Sequence, residues 1–330
     1  MRKEVLFAVL AGGIFGLIIA FGIWRLNTSL SDTGGANTES SPTPTPSFGL
    51  TIAKPVDNQV VTTSPFTISG ITKPGSWLVV LGEEEDFLAQ AEDDGSFFVD
   101  VELVGGINQL KLIAYDTNGS FQEQDLLVVY STEFADNLEG EGEEEATSSA
   151  ETDDVRERVQ EKVREAQNLG IAYLGTATDI STNTIQMRTL GGEIVLAAVS
   201  ENATFASTVG STEEIEFEDV ALGDFVVAMG FENGNEVLDA RRILVVEPPE
   251  DSTTTALFGT VESVERREIS LNVAGTSWTL DFPSTWKGPE TSEIEEGDLL
   301  IATGTEGEEN TISIRGVFFA SAVETETDTE

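Results

Sequence analysis

The chain has 330 residues, 39% of them hydrophobic, which is enough for two or three domains with cores of their own. Its 60 acidic residues against 17 basic ones give a formal charge of -43, which excludes nucleic acid as a partner, because Lys and Arg must neutralise phosphates, and opposes adhesion to anionic lipid surfaces. Cysteine and histidine are both absent. Disulfides, thiolate chemistry, Ser-His-Asp catalysis and His-ligated zinc are thereby ruled out, and no cofactor, no metal and no enzymatic activity is expected.

Val5 to Trp24 run for 20 residues without a charge, about 30 Å of helix, the thickness of a bilayer core. The run ends on Trp24-Arg25, an interfacial aromatic beside a cation, rather than on a small-residue cleavage site, so it predicts an uncleaved anchor over 1–25. Arg2 and Lys3 precede it and only Arg25 follows closely. The positive-inside rule then sets the N-terminus in the cytoplasm and the rest outside, a single-pass protein of the cell membrane with the bilayer as partner through residues 5–24. Ala8, Gly12, Gly16 and Ala20 recur every four residues, a small-residue face that is a candidate for weak self-association of membrane helices. Residues 26–48 follow as a Ser/Thr/Pro stalk, with Ser41-Pro42-Thr43-Pro44-Thr45-Pro46 favouring an extended conformation.

Residues 49–132 read as short alternating strands. Phe97, Val99, Val101 and Leu103 share one face; Leu110, Leu112 and Ala114 repeat the pattern, as do Leu126, Val128 and Tyr130. Pro74-Gly75, Asp94-Gly95 and Asn118-Gly119 supply the turns between them. Six or seven strands in this length predict a two-sheet sandwich. The succession Pro55-Val56-Asp57-Asn58, Phe66-Thr67-Ile68-Ser69-Gly70, Asp94-Gly95-Ser96-Phe97, Gly106-Ile107-Asn108 and Ala114-Tyr115-Asp116 resembles bacterial immunoglobulin-like modules. Those modules occur in cell-surface proteins and beside secreted polysaccharide enzymes. The resemblance implies a fold and no particular ligand.

Residues 133–152 form an acidic, low-complexity linker that self-repulsion is expected to keep disordered. A short helix is predicted over 153–169, with Thr152 as N-cap, Gly170 as its stop, and Val155, Val159, Val163 and Ala166 as an apolar stripe that packs on the next domain. The linkers at 26–48 and 133–152 together predict modules without a single rigid arrangement.

The remainder is duplicated. Gly175-Thr176 matches Gly259-Thr260; Ile185-Gln186-Met187 matches Ile269-Ser270-Leu271; Gly191 matches Gly275; and Ile194, Leu196 and Ala198 align with Trp278, Leu280 and Phe282. After about ten extra residues in the first copy, Gly223-Asp224 and Gly297-Asp298 open similar apolar strands, and Arg241 and Arg315 fall at equal distances beyond them. Each copy, 170–248 and 256–320 with a linker at 249–255, predicts a small five-stranded β-barrel of the oligonucleotide/oligosaccharide-binding type; 321–330 is an acidic tail. The pattern resembles an uncharacterised repeat domain of secreted and membrane-anchored bacterial proteins, a resemblance that implies a barrel and no activity. The whole reads as an all-β ectodomain on one transmembrane helix.

Few motifs suggest chemistry. Ser284-Thr285-Trp286-Lys287 matches the S-x-x-K pattern of serine acylating enzymes but follows a strand in a small barrel without the partner motifs. Asp116-Thr117-Asn118-Gly119 resembles the start of a calcium loop but lacks the later ligands, and a hairpin turn explains it. Trp77 and Trp278 lie on apolar strand faces and read as core. Trp286, in a loop between prolines, is the best candidate for ligand contact. The function expected is that of a membrane-anchored structural or interaction protein displaying β-domains at the cell envelope, with an envelope protein as partner. The alternative is a surface module that binds carbohydrate or cell-wall glycan.

Overall fold

The computed structural model describes residues 48–136, 169–233, 237–250, 252–265, 268–289 and 291–320. The expected membrane span, its small-residue face and nearly all of the expected helix at 153–169 lie outside these residues. Among the described residues, no helix is long and apolar enough to cross a membrane. Residues 48 onward form one compact unit, and the architecture is all-β, as the alternating patterns predict.

Eight strands build the sandwich: β1 (Thr51–Lys54), β2 (Gln59–Val61), β3 (Phe66–Ile71), β4 (Trp77–Leu81), β5 (Asp86–Gln90), β6 (Ser96–Val101), β7 (Gly106–Tyr115) and β8 (Phe121–Tyr130). One sheet has the order β1-β3-β6, and the other runs β2-β8-β7-β4-β5. Between them lie residues that the period of two marks, Phe97, Val99, Val101, Leu110, Leu112, Ala114, Leu126 and Val128, together with Ile68, all buried. Gly75, Gly95 and Gly119 take positive φ at the three expected turns.

A five-residue helix, α1 (Thr132–Asp136), follows. It occupies the start of the stretch expected to be acidic linker, and its Phe134 is buried. Then come β9 (Ile171–Ser181), β10 (Thr184–Thr189), β11 (Ile194–Ser207), β12 (Glu213–Glu214), β13 (Phe225–Glu232) and β14 (Val237–Val246). Strand β9 pairs with both β10 and β13, β11 runs parallel to β14, and so β9, β10, β11, β14 and β13 close into a ring. β15 (Thr254–Glu265), β16 (Glu268–Val273), β17 (Thr276–Asp281), β18 (Leu299–Glu306) and β19 (Thr311–Phe319) close a second ring in the same order, with β17 parallel to β19.

The duplication extends to single hydrogen bonds. Ala221 N–H donates to Asp224 Oδ2 at 2.8 Å, and Glu295 N–H to Asp298 Oδ2 at 2.8 Å. Gly223 N–H reaches Ala177 O at 2.9 Å as Gly297 N–H reaches Val261 O at 2.9 Å. Gly230 and Gly304 stand at register shifts where a Cβ would lie 2.0 Å from the Asp239 and Ser313 carbonyl oxygens, so only glycine fits either place.

One part of the sequence alignment needs correction. The β10–β11 hairpin turns through Leu190-Gly191-Gly192, one residue more than the Ala274-Gly275 turn between β16 and β17. Gly192 (φ 85), rather than Gly191, therefore corresponds to Gly275 (φ 90). Because a shift of one residue exchanges the faces of a strand, Val195 and Ala197 occupy the places of Trp278 and Leu280. Ile194 and Leu196, which the sequence aligned with those core positions, point outward and are 49% and 38% exposed.

The sandwich does not stand apart from the barrels. Val60 N–H bonds Gly170 O and Ala172 N–H bonds Asn58 O, both at 2.8 Å, so β2 continues into β9 and the main sheet of the sandwich runs into the first barrel. The outward side of that sheet is apolar too. Val60, Ile107, Leu127 and Val129 pack with Phe134, Leu174, Phe225, Val227 and Met229 at the first barrel. Val79, Leu81, Ile113 and Tyr115 pack with Ala256, Phe258 and Ile301 at the second. The expectation of modules without a fixed arrangement is thus corrected for the described residues, which these seams join. The acidic stretch after α1 misled it, because these seams are made by apolar residues far from that stretch in sequence.

Candidate functional site

Trp286 lies in the long loop that follows β17. Its backbone N–H donates to Pro283 O at 3.0 Å and its indole Nε1–H to Pro289 O at 2.9 Å. Phe282 meets the indole edge-on, with centroids 5.3 Å apart. A Cβ at Gly288 would come within 2.1 Å of the ring, so the loop can fold over the indole only with glycine there. The side chain is half-buried and fixed, and packs on the rim of the barrel core. The S-x-x-K residues beside it sit in this loop and not at the start of a helix, which removes the geometry that serine acylation needs.

The indole borders a groove of about 540 Å³ at the seam between the sandwich and the second barrel. The β4–β5 turn contributes Glu84, Glu85 and Asp86, the loop contributes Lys287, and β19 contributes Ile314 to Phe318. Arg315 bridges the two walls. Its Nε donates to Asp86 Oδ2 at 2.9 Å, its Nη2 to Asp86 Oδ1 and, at 2.9 Å, to Gly82 O. Thr303 Oγ1 donates to Asp86 Oδ2 at 2.6 Å. Asp86 is 2% exposed and fully engaged, which makes it a structural counter-ion rather than a free acid. What remains for a ligand is the half-buried indole, the Lys287 ammonium and the Glu84 and Glu85 carboxylates.

A second seam site surrounds Tyr115, whose hydroxyl donates to Ala256 O at 2.6 Å and whose ring stacks on Phe258 at 5.4 Å. Burial pushes the Tyr115 phenol well above its ordinary range, and Glu123 adds to the shift. The residue therefore stays neutral and serves packing. At the next hairpin, Asp116 Oδ1 accepts the Asn118 and Ser120 N–H groups at 2.8 and 3.0 Å, while Oδ2 meets Lys73 Nζ at 3.2 Å. This is the turn that the sequence predicts in place of a calcium loop. Among the described residues, no group of three or more acidic side chains is placed to hold a metal ion.

Burial would raise the Asp116 carboxyl, but the Asn118, Lys73 and Ser120 hydrogen bonds outweigh it and hold the group below its usual range. A carboxyl depressed on folding adds stability at all pH values above its unfolded pKa, and that stability is lost as pH falls through the folded value. Asp116→Asn is therefore expected to lower the neutral-pH midpoint in urea and to flatten the decline below about pH 4. Parallel acid limbs for the two proteins would refute the assignment.

Of the residues singled out from sequence, Trp286 lies at a groove, while Trp77 and Trp278 are half-buried against the sandwich–barrel seam and the barrel core. Ala8, Gly12, Gly16 and Ala20 lie outside the described residues. Sequence reasoning missed Asp86 and the bridging role of Arg315. The repeat marks Arg315 together with Arg241, but Arg241 pairs at 3.2 Å with Asp239 of its own strand, so equal positions carry unequal contacts.

No protein-family model matches the chain, and no curated protein is detectably similar to it. Among solved structures, the chain is similar to one described as a tetra-tandem repeat in the extending region of a large adhesion protein. The two are 16% identical, the match covers 82% of this chain and 74% of that one, and the TM-score is 0.21, so no functional statement rests on it.

Proposed function

We propose that the chain is a non-enzymatic interaction protein of the cell envelope, anchored through residues 5–24, whose β-domains act as one rigid body. The observation that carries this reading is the main sheet of the sandwich, apolar on both sides and covered outward by both barrels. A spacer of independent modules needs no such second face, whereas a body that must hold its contact surfaces in fixed relation does. The strongly acidic composition keeps such a body soluble and directs it to neutral or basic partners. The full-length chain is expected to sediment with membranes, to resist carbonate extraction, and to lose its β-domains to protease added outside intact cells. A chain that is released by carbonate, or is protected in intact cells, defeats the proposal.

The fixed indole of Trp286 beside a polar groove supports a second reading, recognition of a wall glycan at that place. Co-sedimentation with purified cell-wall polymer across a salt series separates the two. Retention that salt does not weaken and that Trp286→Ala abolishes supports the glycan; no retention at any salt leaves a protein as the envelope partner.

A further inference from the structure

The largest difference between the two barrels follows the third strand of each. The extra residues of the first copy extend β11 to Ser207, pair its end with β12, and open a groove of about 770 Å³ beside the 3-10 turn Phe217–Asp219. Phe205, Ala206, Ile215 and Phe217 give it an apolar floor, with the two phenyl rings edge-to-face at 5.9 Å. Glu133, Glu213, Glu214, Glu216 and Glu218 also line it. The cation among the lining residues, Arg242, is engaged by Glu133 at 3.7 Å and by Thr204 at 3.3 Å.

The chain enters and leaves the neighbourhood of this groove at the same end. Glu133 belongs to α1, which ends at Asp136, and the described chain resumes at Leu169-Gly170. A Cβ on Gly170 would lie 2.7 Å from the Phe134 ring, so the two ends of segment 137–168 are held together next to Glu133. At a helical period, Val155, Val159, Val163 and Ala166 fall on one face, with Arg158 and Lys162 on one flank and Arg156 on the other; Glu157 and Glu161 fall opposite. That pattern complements an apolar floor bordered by carboxylates. The second barrel lacks both features: it has no such insertion, and only the short linker 249–255 precedes it.

We propose that residues 153–167 dock as an amphipathic helix along the groove of the first barrel, valines on the Phe205–Phe217 floor and Arg156, Arg158 and Lys162 against the glutamates. The tether at Gly170 makes this an intramolecular event with an effective concentration of about millimolar, which favours the chain's own segment over a free partner.

Hydrogen exchange on the full-length chain in detergent micelles tests the proposal. Backbone amides of 153–167 and of 213–218 are expected to exchange at least about tenfold slower than unstructured peptide. Val159→Asp is expected to release both regions together while leaving β13 and β18 protected. Arg158→Glu with Lys162→Glu is expected to do the same, with wild-type protection falling as salt rises. Protection that increases with protein concentration would mean that a second copy supplies the helix, and would overturn the intrachain docking. Unprotected amides over 153–167, or a groove indifferent to Val159→Asp, would overturn it as well and leave the groove to another protein.

Discussion

Arg315→Met is expected to destabilise the protein by about 3–5 kcal/mol, because it leaves a carboxylate buried without its counter-ion. Asp86 is 2% exposed, and its two oxygens are taken by the Arg315 guanidinium and Thr303 Oγ1. Methionine offers no hydrogen-bond donor in the guanidinium's place, and the change also strips Gly82 O of a donor. Replacing both partners by apolar side chains, Asp86→Leu with Arg315→Met, is expected to cost far less than the sum of the single changes, since the desolvation penalty of the charge disappears with the charge. Urea unfolding of the four proteins closes the cycle. Additive losses would show that the pair does not couple the sandwich to the second barrel. Arg241→Met is the internal control. Its partner Asp239 is 45% exposed and also accepts from Ser200 Oγ at 2.6 Å, so water and that hydroxyl replace much of what the arginine provides and the loss is expected to be smaller.

The strands of the sandwich and the duplication of the barrels were legible because both leave local signals: a period of two in Phe97-Val99-Val101, and glycines that recur in the same order in both copies, as in Gly175/Gly259 and Gly230/Gly304. The seams were less so, although the composition of the strands held a clue. Trp77-Leu78-Val79-Val80-Leu81 is apolar at every position, not at alternate ones, and Phe225 to Met229 repeats this. Such runs belong to strands covered on both faces. Reading only the alternate residues finds the inner core and leaves Val79, Leu81, Val227 and Met229 without a partner. The slip at Ile194 has another cause. One added residue in a turn costs little by itself, yet it exchanges inside for outside along the strand, and counting from the preceding glycine carries no warning of it. Trp286 was found for its loop and its ring type. Its groove was not, since the opposite wall comes from the β4–β5 turn, some 200 residues away in sequence.

Phe134→Ala is expected to cost about 3–5 kcal/mol and to act on the seam rather than on either domain's interior. The residue sits on a helix of five residues, too short to hold itself together in water. Its N–H donates to Ser131 Oγ at 3.3 Å, which fixes the first turn. The ring is 1% exposed and fills the space between Val60 and Val129 of the sandwich and Leu174, Phe225 and Met229 of the barrel, with Phe231 at 5.8 Å. Alanine would leave a void whose walls belong to two domains, and β2 pairs with β9 through few bonds there. The Val60 and Ala172 amides are therefore expected to lose exchange protection well before the Val128 and Val227 amides do. A loss below about 1 kcal/mol, or uniform loss of protection across the sheet, would show that the ring does not hold the seam. A seam that opens while both domains stay folded would give the arrangement of the first barrel its own stability, separable from that of the cores it joins.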